Sequence, residues 1–288
     1  MRIRFSVEDE SNRKDVCMKK IVSILVVVVM LFTAAVFATS CAGANGGEFK
    51  VGMECGYAPF NWTQTNDSNG AVAIQGGGYA GGYDVEIAKL IAQKLGKKLV
   101  IVKTAWDGLP PAVQSGTIDA IIAGMSPTAE RKKTIDFTDN YYKSDLVMVV
   151  KKGGAYEAAK SIQDFKGAKI TAQLNTFHYT VIDQIQGVQK QAAKDDFPTM
   201  RVALESGSID GYVSEKPEGV SACAANSNFA MVEFTTGFEA SDEDVAVAVG
   251  LKKGSPLAKG INEALAGISE EQRKQIMDTA IKNQPTQQ

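Results

Sequence analysis

The sequence predicts an α/β protein of two lobes joined by two crossing segments, and three observations predict it. Short apolar runs of strand character alternate with amphipathic stretches of helix length, the pattern of parallel strands covered by helices. Gln114-Ser-Gly-Thr-Ile-Asp119 and Ala203-Leu-Glu-Ser-Gly-Ser-Ile-Asp210 repeat one device, a helix ending at Ser-Gly and a strand beginning at Ile-Asp, so each lobe has its own copy. Residues 141–150 and 241–249 read as extended connections between the lobes, and two crossings make a hinge.

Composition bounds the function before any motif does. The 288 residues are 44% hydrophobic with a formal net charge of −2, which gives material for a large core and no electrostatic case for nucleic acid. Basic residues run no further than pairs such as Lys132-Lys133. His178 is the only histidine, which excludes metal sites built from several histidines and relays that pair two. No GxSxG elbow accompanies it, so packing or a single hydrogen bond is the default role for this imidazole. Cys17, Cys41, Cys55 and Cys223 form no CxxC pair. Neither a metal nor a cofactor is expected.

Residues 1–17 are polar and of mixed charge, and Met18-Lys-Lys20 followed by the apolar run 21–37 has the build of a secretory signal. A charged leader ahead of a signal has no evident use, so translation is expected to begin at Met18, with 1–17 an upstream extension. The signal, 18–40, ends Phe37-Ala-Thr-Ser-Cys41, small residues before a cysteine, similar to the lipobox of bacterial lipoproteins with Ala38 where leucine is usual. Lipidation at Cys41 is expected in preference to a plain signal-peptidase cut near Ala38 or Ser40, and either leaves the mature chain outside the cytoplasmic membrane. Residues 41–47, rich in glycine and alanine, form a tether.

The folded part begins near Glu48. Residues 49–53 read as a first strand, followed by Glu54, Tyr57, Phe60 and Trp62. In open sheets ligands bind beyond the carboxyl ends of strands, so Glu54 and Tyr57 either face a ligand crevice or fold onto the core with Phe60. Residues 63–82 are polar and glycine-rich, with a possible hairpin at Ser68-Asn-Gly70. Asp84 is expected to cap a helix with Ile87, Ala88, Ile91 and Leu95 on one face and Gly96 at its end. Residues 99–104 form the second strand, and Trp106 follows it as Tyr57 follows the first.

Ile118 to Arg131 is the centre of the chain. Residues 119–123 read as a buried strand, and Ser126-Pro127 then reads as an N-cap and first helical position. Backbone N–H groups converging there favour an anion, which the Arg131 guanidinium suits as well. The Ser126 hydroxyl and the Gly124 carbonyl supply acceptors, so one stretch either offers partners for both ends of a zwitterion or is an ordinary βα turn with a surface arginine. In the second lobe, residues 169–173 read as a strand and Asn175-Thr176 as the start of a helix through Gln186. Ser214 and Glu215 stand at the far end of the second Ile-Asp strand. Residues 256–267 and 270–283 are amphipathic helices, with Ile261, Leu265, Met277 and Ile281 toward the core and residues 284–288 frayed.

From about Glu48 to Lys282 the chain resembles the substrate-binding proteins of polar amino-acid ABC importers, bacterial extracellular solute-binding proteins of family 3. The resemblance rests on Tyr57-Ala-Pro-Phe60, Gly82-Tyr-Asp-Val-Glu-Ile-Ala88, Ser115-Gly-Thr-Ile-Asp-Ala120, Met125-Ser-Pro-Thr-Ala-Glu-Arg131, Phe137-Thr-Asp139 and Phe165-Lys-Gly167, in that order. It implies a type II periplasmic-binding-protein-like fold, lobe one from 48–142 and 244–288, lobe two from 143–243. It further implies capture without chemistry, a permease as partner, a monomer, and contact with the membrane only through a lipid anchor. The ligand carboxylate then falls to Arg131, Ser126 and Thr176, and the ammonium to Glu215 with Gly124 and Ser126.

The side-chain pocket falls to Glu54, Tyr57 and Trp106, with Met125 and Phe177 beside it. A carboxylate with two aromatic faces suits a planar cation, so arginine is expected, then lysine. Where the family has Gln or Leu, then Gly-Thr, this chain has Leu174-Asn-Thr-Phe177, and Phe177 with His178 would shrink the pocket, leaving glutamine or histidine as alternatives. Dehydratases that resemble this fold leave a second class open, with Glu54 or Glu215 as a general acid. A sensor or adhesin using the same clamp is a third.

Overall fold

The structure is a computed structural model and describes residues 46–285. The leader, the signal and Cys41 lie outside these residues. In chain order the first lobe holds β1 (Glu48–Met53), β2 (Gly56–Tyr57), β3 (Asn61–Gln64), β4 (Val72–Ala73), β5 (Tyr79–Gly81), α1 (Tyr83–Leu95), β6 (Lys98–Lys103), α2 (Leu109–Ser115), β7 (Ala120–Ile121) and β8 (Asp136–Lys143). The second lobe follows with β9 (Leu146–Lys151), β10 (Lys169–Thr171), α3 (Phe177–Val181), β11 (Gln189–Lys190), α4 (Phe197–Ser206), β12 (Gly211–Glu215), α5 (Lys216–Ala225) and β13 (Phe229–Val232). β14 (Ala246–Leu251), α6 (Ala258–Ala266) and α7 (Glu270–Asn283) then rejoin the first.

Each lobe is built on a mixed five-stranded sheet, ordered β6-β1-β7-β14-β8 in the first and β11-β10-β12-β9-β13 in the second. In each, three strands run parallel and the antiparallel strands lie at the other side. A small sheet, β2-β3-β5-β4, sits on the first lobe. The chain crosses through Ser144-Asp145 and again between Val232 and Ala246, and the crossings touch where the Ser144 N–H donates to the Val245 carbonyl at 3.1 Å.

The repeated Ser-Gly and Ile-Asp device is the same machine in both lobes. Gly116 and Gly207 end α2 and α4 in the left-handed conformation, φ 81° and 77°, which a side chain would strain. Asp119 and Asp210 then clamp the neighbouring strand. The Asp119 carboxylate accepts from Lys50 N–H while its own N–H donates to the Lys50 carbonyl, each at 2.8 Å, and Asp210 does both with Lys169 at the same distances. The aspartate thus fixes the register of β7 on β1 and of β12 on β10.

Packing follows the expected faces. Ile87, Ala88 and Ile91 of α1 are buried against Phe49, Val51 and Ile101, and Ile261, Leu265 and Met277 join the same core. The second lobe closes over Met148, Phe165, Ile170, Ile182 and Val213.

Several local expectations are corrected. Asp84 does not cap α1: Gly82 is the N-cap, and Asp84, one residue inside, is buried by donors from Asn61 and Tyr141. Ser68-Asn-Gly70 is a 3-10 turn, and the glycine-rich hairpin is β4-β5 instead. The strand expected over 119–123 is only Ala120–Ile121: Asp119 and Ile122 N–H still bond the Lys50 and Gly52 carbonyls on either side of it, and the chain then turns away at Gly124, φ 63°. Helix α3 stops at Val181 and a 3-10 turn continues to Gln184. Gln284 is buried rather than frayed, its amide donating to the Ser221 carbonyl at 3.2 Å.

The clamps are testable by stability. Asp119→Ala and Asp210→Ala are each expected to lower the unfolding free energy by about 1 kcal/mol, Asp119 the more because its bond is less exposed. In urea denaturation the double variant should lose the sum, since the two sites share no partner.

Candidate functional site

Eleven residues from both lobes enclose one small cavity: Tyr57, Trp106, Gly124, Ser126 and Arg131 on one side, and Gln173, Thr176, Phe177, His178, Phe197 and Glu215 on the other. The space inside is about 10 Å³, the room of one water, so the walls must part before any larger molecule enters. Eight of the ten residues singled out in the sequence meet here. Glu54 and Met125 line the outer grooves on either side of Trp106.

The segment before Arg131 is not a helix start. Residues 122–128 run without helical structure, the Met125 carbonyl accepts from Ala248 N–H at 3.1 Å, and only Arg131–Lys133 form a 3-10 turn. Held beside β14, Ser126 cannot begin a helix, and no helix dipole aims at the cavity from this side. Its carbonyl instead accepts from Arg131 Nη1 at 2.9 Å, while Nη2 donates to the Asn175 carbonyl of the second lobe at 3.0 Å. The guanidinium lies over Trp106, 5.0 Å from the ring centre, and retains N–H groups beyond these two bonds. Partial burial lowers its pKa to about 10, so it stays cationic at neutral pH.

Gly124 has to be glycine. Its φ is 63°, and a Cβ there would stand 2.5 Å from Tyr57 Cε1. Its N–H donates to Tyr141 Oη at 3.3 Å, and that hydroxyl donates to Asp84 at 2.7 Å. The other Asp84 oxygen accepts from Asn61 Nδ2, whose Oδ1 accepts from Cys55 N–H at 2.7 Å. One buried carboxylate therefore holds both the Gly124 turn and the chain after Glu54. Cys55 and Cys223 are free thiols.

Opposite Arg131, Glu215 ends β12 as the N-cap of α5 and accepts a hydrogen bond from the Tyr57 hydroxyl across the lobes. Burial raises Glu215 to about 8, against the Tyr57 bond and with Asp84 and Glu218 adding to the rise. The Tyr57 ring stacks on Phe197 at 4.4 Å and 9°, and on Phe60. The two-faced aromatic slot expected of Tyr57 and Trp106 is thus not formed here: Phe197 covers one ring and Arg131 the other.

Glu54 is buried and accepts from Gln173 Nε2 at 2.9 Å, a third bond across the lobes, while its Oε2 has no partner. Burial raises Glu54 to about 7, and Asp196 and Asp107 add to it. His178 is buried with Nδ1 unpartnered, and burial together with Arg131 holds it neutral, down to about 3. Sequence reading missed Gln173 and Phe197. Gln173 stands beyond the carboxyl end of β10, the position that drew attention to Glu54 and Trp106; Phe197 opens α4 and carries no such signal.

The arrangement can grip a molecule with an anionic and a cationic end, through guanidinium N–H groups at one wall and a carboxylate at the other. The sequence profile of the bacterial extracellular solute-binding proteins, family 3, matches residues 49–282. A probable histidine-binding protein of Campylobacter jejuni is 34% identical over 60% of this chain and 65% of its own length. The arginine-binding extracellular protein of Bacillus subtilis is 28% identical over 86% of this chain and 92% of its own. An amino-acid ABC transporter substrate-binding protein of Streptococcus pneumoniae, solved bound to L-arginine, superposes with a TM-score of 0.73 at 27% identity, covering 82% of this chain and 94% of its own.

The titrating groups predict opposite pH limbs. Glu54 and Glu215 keep protons to about 7 and about 8 when folded but release them near 4.5 when exposed, so stability falls as pH rises through that window. His178 protonates near 6.5 only when unfolded, so its contribution is full above that pH and is lost toward about 3. Melting temperature of the ligand-free chain against pH should show Glu215→Gln flattening the first limb and His178→Gln the second.

Proposed function

Because the chain belongs to the bacterial extracellular solute-binding proteins, family 3, we propose that it captures L-arginine, ahead of L-lysine, by lobe closure and delivers it to an ABC importer. The ligand carboxylate lies on Arg131 with N–H groups of Ser126 and Thr176. The ammonium takes the place of the Tyr57 hydroxyl at Glu215, helped by the Gly124 carbonyl and the Ser126 hydroxyl. Met125 and Phe177 flank the path to the side-chain pocket.

The observation that supports a cationic side chain is the unpartnered, buried Oε2 of Glu54, in surroundings where Asp107 and Asp196 already disfavour its charge. A guanidinium satisfies that oxygen and lets Glu54 ionise, worth more than a neutral donor would be. Trp106 and Tyr57 then turn their faces to the ligand as Arg131 and Phe197 yield them. The relative solved with L-arginine lends weight to this choice. A neutral amide, glutamine, is the second reading, because Gln173 already gives Glu54 an amide partner.

The lobe boundaries expected at 142–143 and 243–244 fall beside the crossings at Ser144-Asp145 and between Val232 and Ala246, where the lobes hinge; the chain works as a monomer that binds without transforming its ligand, and lipid on Cys41 anchors it outside the cytoplasmic membrane.

Isothermal titration with a panel of amino acids tests the reading. Arginine should bind best, and Glu54→Gln should weaken arginine at least tenfold, the order of a lost charge-assisted bond of about 1.5 kcal/mol or more, while glutamine changes little. Equal losses for both would contradict the role of Glu54, and no binding by any amino acid would end the proposal.

A further inference from the structure

Asn175 stands where the chain turns from β10 into α3, and it is one of three residues other than glycine with positive φ among the described residues, at 55°. Asparagine adopts this conformation more readily than other side-chain-bearing residues, so it keeps a turn that glycine would also allow. What it adds over glycine is an amide, and that amide crosses the cleft. Its Nδ2 donates to Asp107 Oδ1 at 2.8 Å, and Asp107 belongs to the 3-10 turn of the first lobe that also carries Trp106. The Asn175 carbonyl, in the same residue, accepts from Arg131 Nη2 at 3.0 Å. A single second-lobe residue is thus joined to two first-lobe residues, one of them the cation of the cavity.

We propose that Asn175 is the closure latch of the cleft, a positioning residue whose amide on Asp107 and carbonyl on Arg131 hold the lobes together and set the residence time of the ligand. The proposal deepens the function above and rests on it for the ligand. The amide bond and the carbonyl bond form only when the lobes meet. Their strength therefore enters the closed state alone, slowing dissociation while leaving encounter with the open cleft unchanged. Because Arg131 spends one N–H on Asn175, its grip on a carboxylate is oriented by the second lobe, so capture and closure are coupled through one side chain.

The pair can be inverted. Asn175→Asp keeps a residue tolerant of the left-handed turn but sets a carboxylate against Asp107, and adding Asp107→Asn restores a donor and an acceptor in reversed order. Small-angle scattering of the ligand-free chain should show a wider particle for Asn175→Asp and recovery in Asn175→Asp/Asp107→Asn. In stopped-flow measurements Asn175→Gly, which keeps the turn and loses the amide, should speed ligand release about fivefold, the factor of a net bond of about 1 kcal/mol, and should not slow association, because the ligand-free cleft opens at least as often. Asn175→Asp should speed it further, and the reversed pair should bring it back.

An Asn175→Asp chain with wild-type scattering and release rate, or a reversed pair that restores neither, would overturn the latch. If Asn175→Asp does not fold, the cycle of Asn175→Gly and Asp107→Ala decides it: non-additive effects on scattering support the latch and additive ones refute it. A wild-type chain that binds no amino acid would refute the functional reading alone, since scattering of the ligand-free protein still judges the latch.

Discussion

A guanidinium and a carboxyl group sharing one desolvated cavity set the terms for the rest of this structure. Arg131 remains cationic in partial burial, but Glu215, walled in by Tyr57 and Phe197, is held protonated toward about pH 8. Each group has found a stopgap within the chain. Arg131 donates to two backbone carbonyls and Glu215 accepts from a phenol. A zwitterion brings an ammonium that lets Glu215 ionise and a carboxylate for the free guanidinium N–H groups, both stronger than what they replace. On the proposed reading, the site is paired well enough to close and poorly enough to prefer a ligand.

The scaffold keeps these groups from relaxing away. Glu218, fully buried, takes Arg201 through Nε and Nη2 at 3.1 and 2.8 Å, Tyr212 at 3.1 Å and Ser214 at 2.6 Å. That network pins α5 to β12 and α4, and Glu215 is the cap between strand and helix. Removing one partner of such a pair costs about 3–5 kcal/mol, because the other is left charged and buried. In the first lobe Asp84 does the corresponding work, tying Gly124 through Tyr141 and Cys55 through Asn61. The tail adds a further tie to the second lobe, where the Gln284 side chain donates to the Ser221 carbonyl and accepts from its hydroxyl.

The sequence carried the fold through patterns with a direct physical cause. Ile-Asp recurs because an aspartate at that position clamps the adjacent strand twice, and Gly116 and Gly207 recur because the chain must turn left-handed. Most of the cavity was legible for the same reason, since Tyr57, Trp106 and Glu215 follow the carboxyl ends of strands. What stayed hidden depends on neighbours distant in sequence. Ser126-Pro127 has the letters of a helix start, yet the bond from Ala248 to Met125 holds the segment beside β14. Asp84 looks like a cap, yet Asn61 and Tyr141 claim it. Phe197 reaches Tyr57 only through closure of two lobes, which no local pattern encodes.

The central claim is that one amino acid spans Arg131 and Glu215. A crystal structure of the chain grown with L-arginine tests it most directly. The account predicts the α-ammonium at Glu215 in place of the Tyr57 hydroxyl, with the carboxylate on the Arg131 guanidinium. A ligand bound elsewhere while Tyr57 still donates to Glu215 would contradict it.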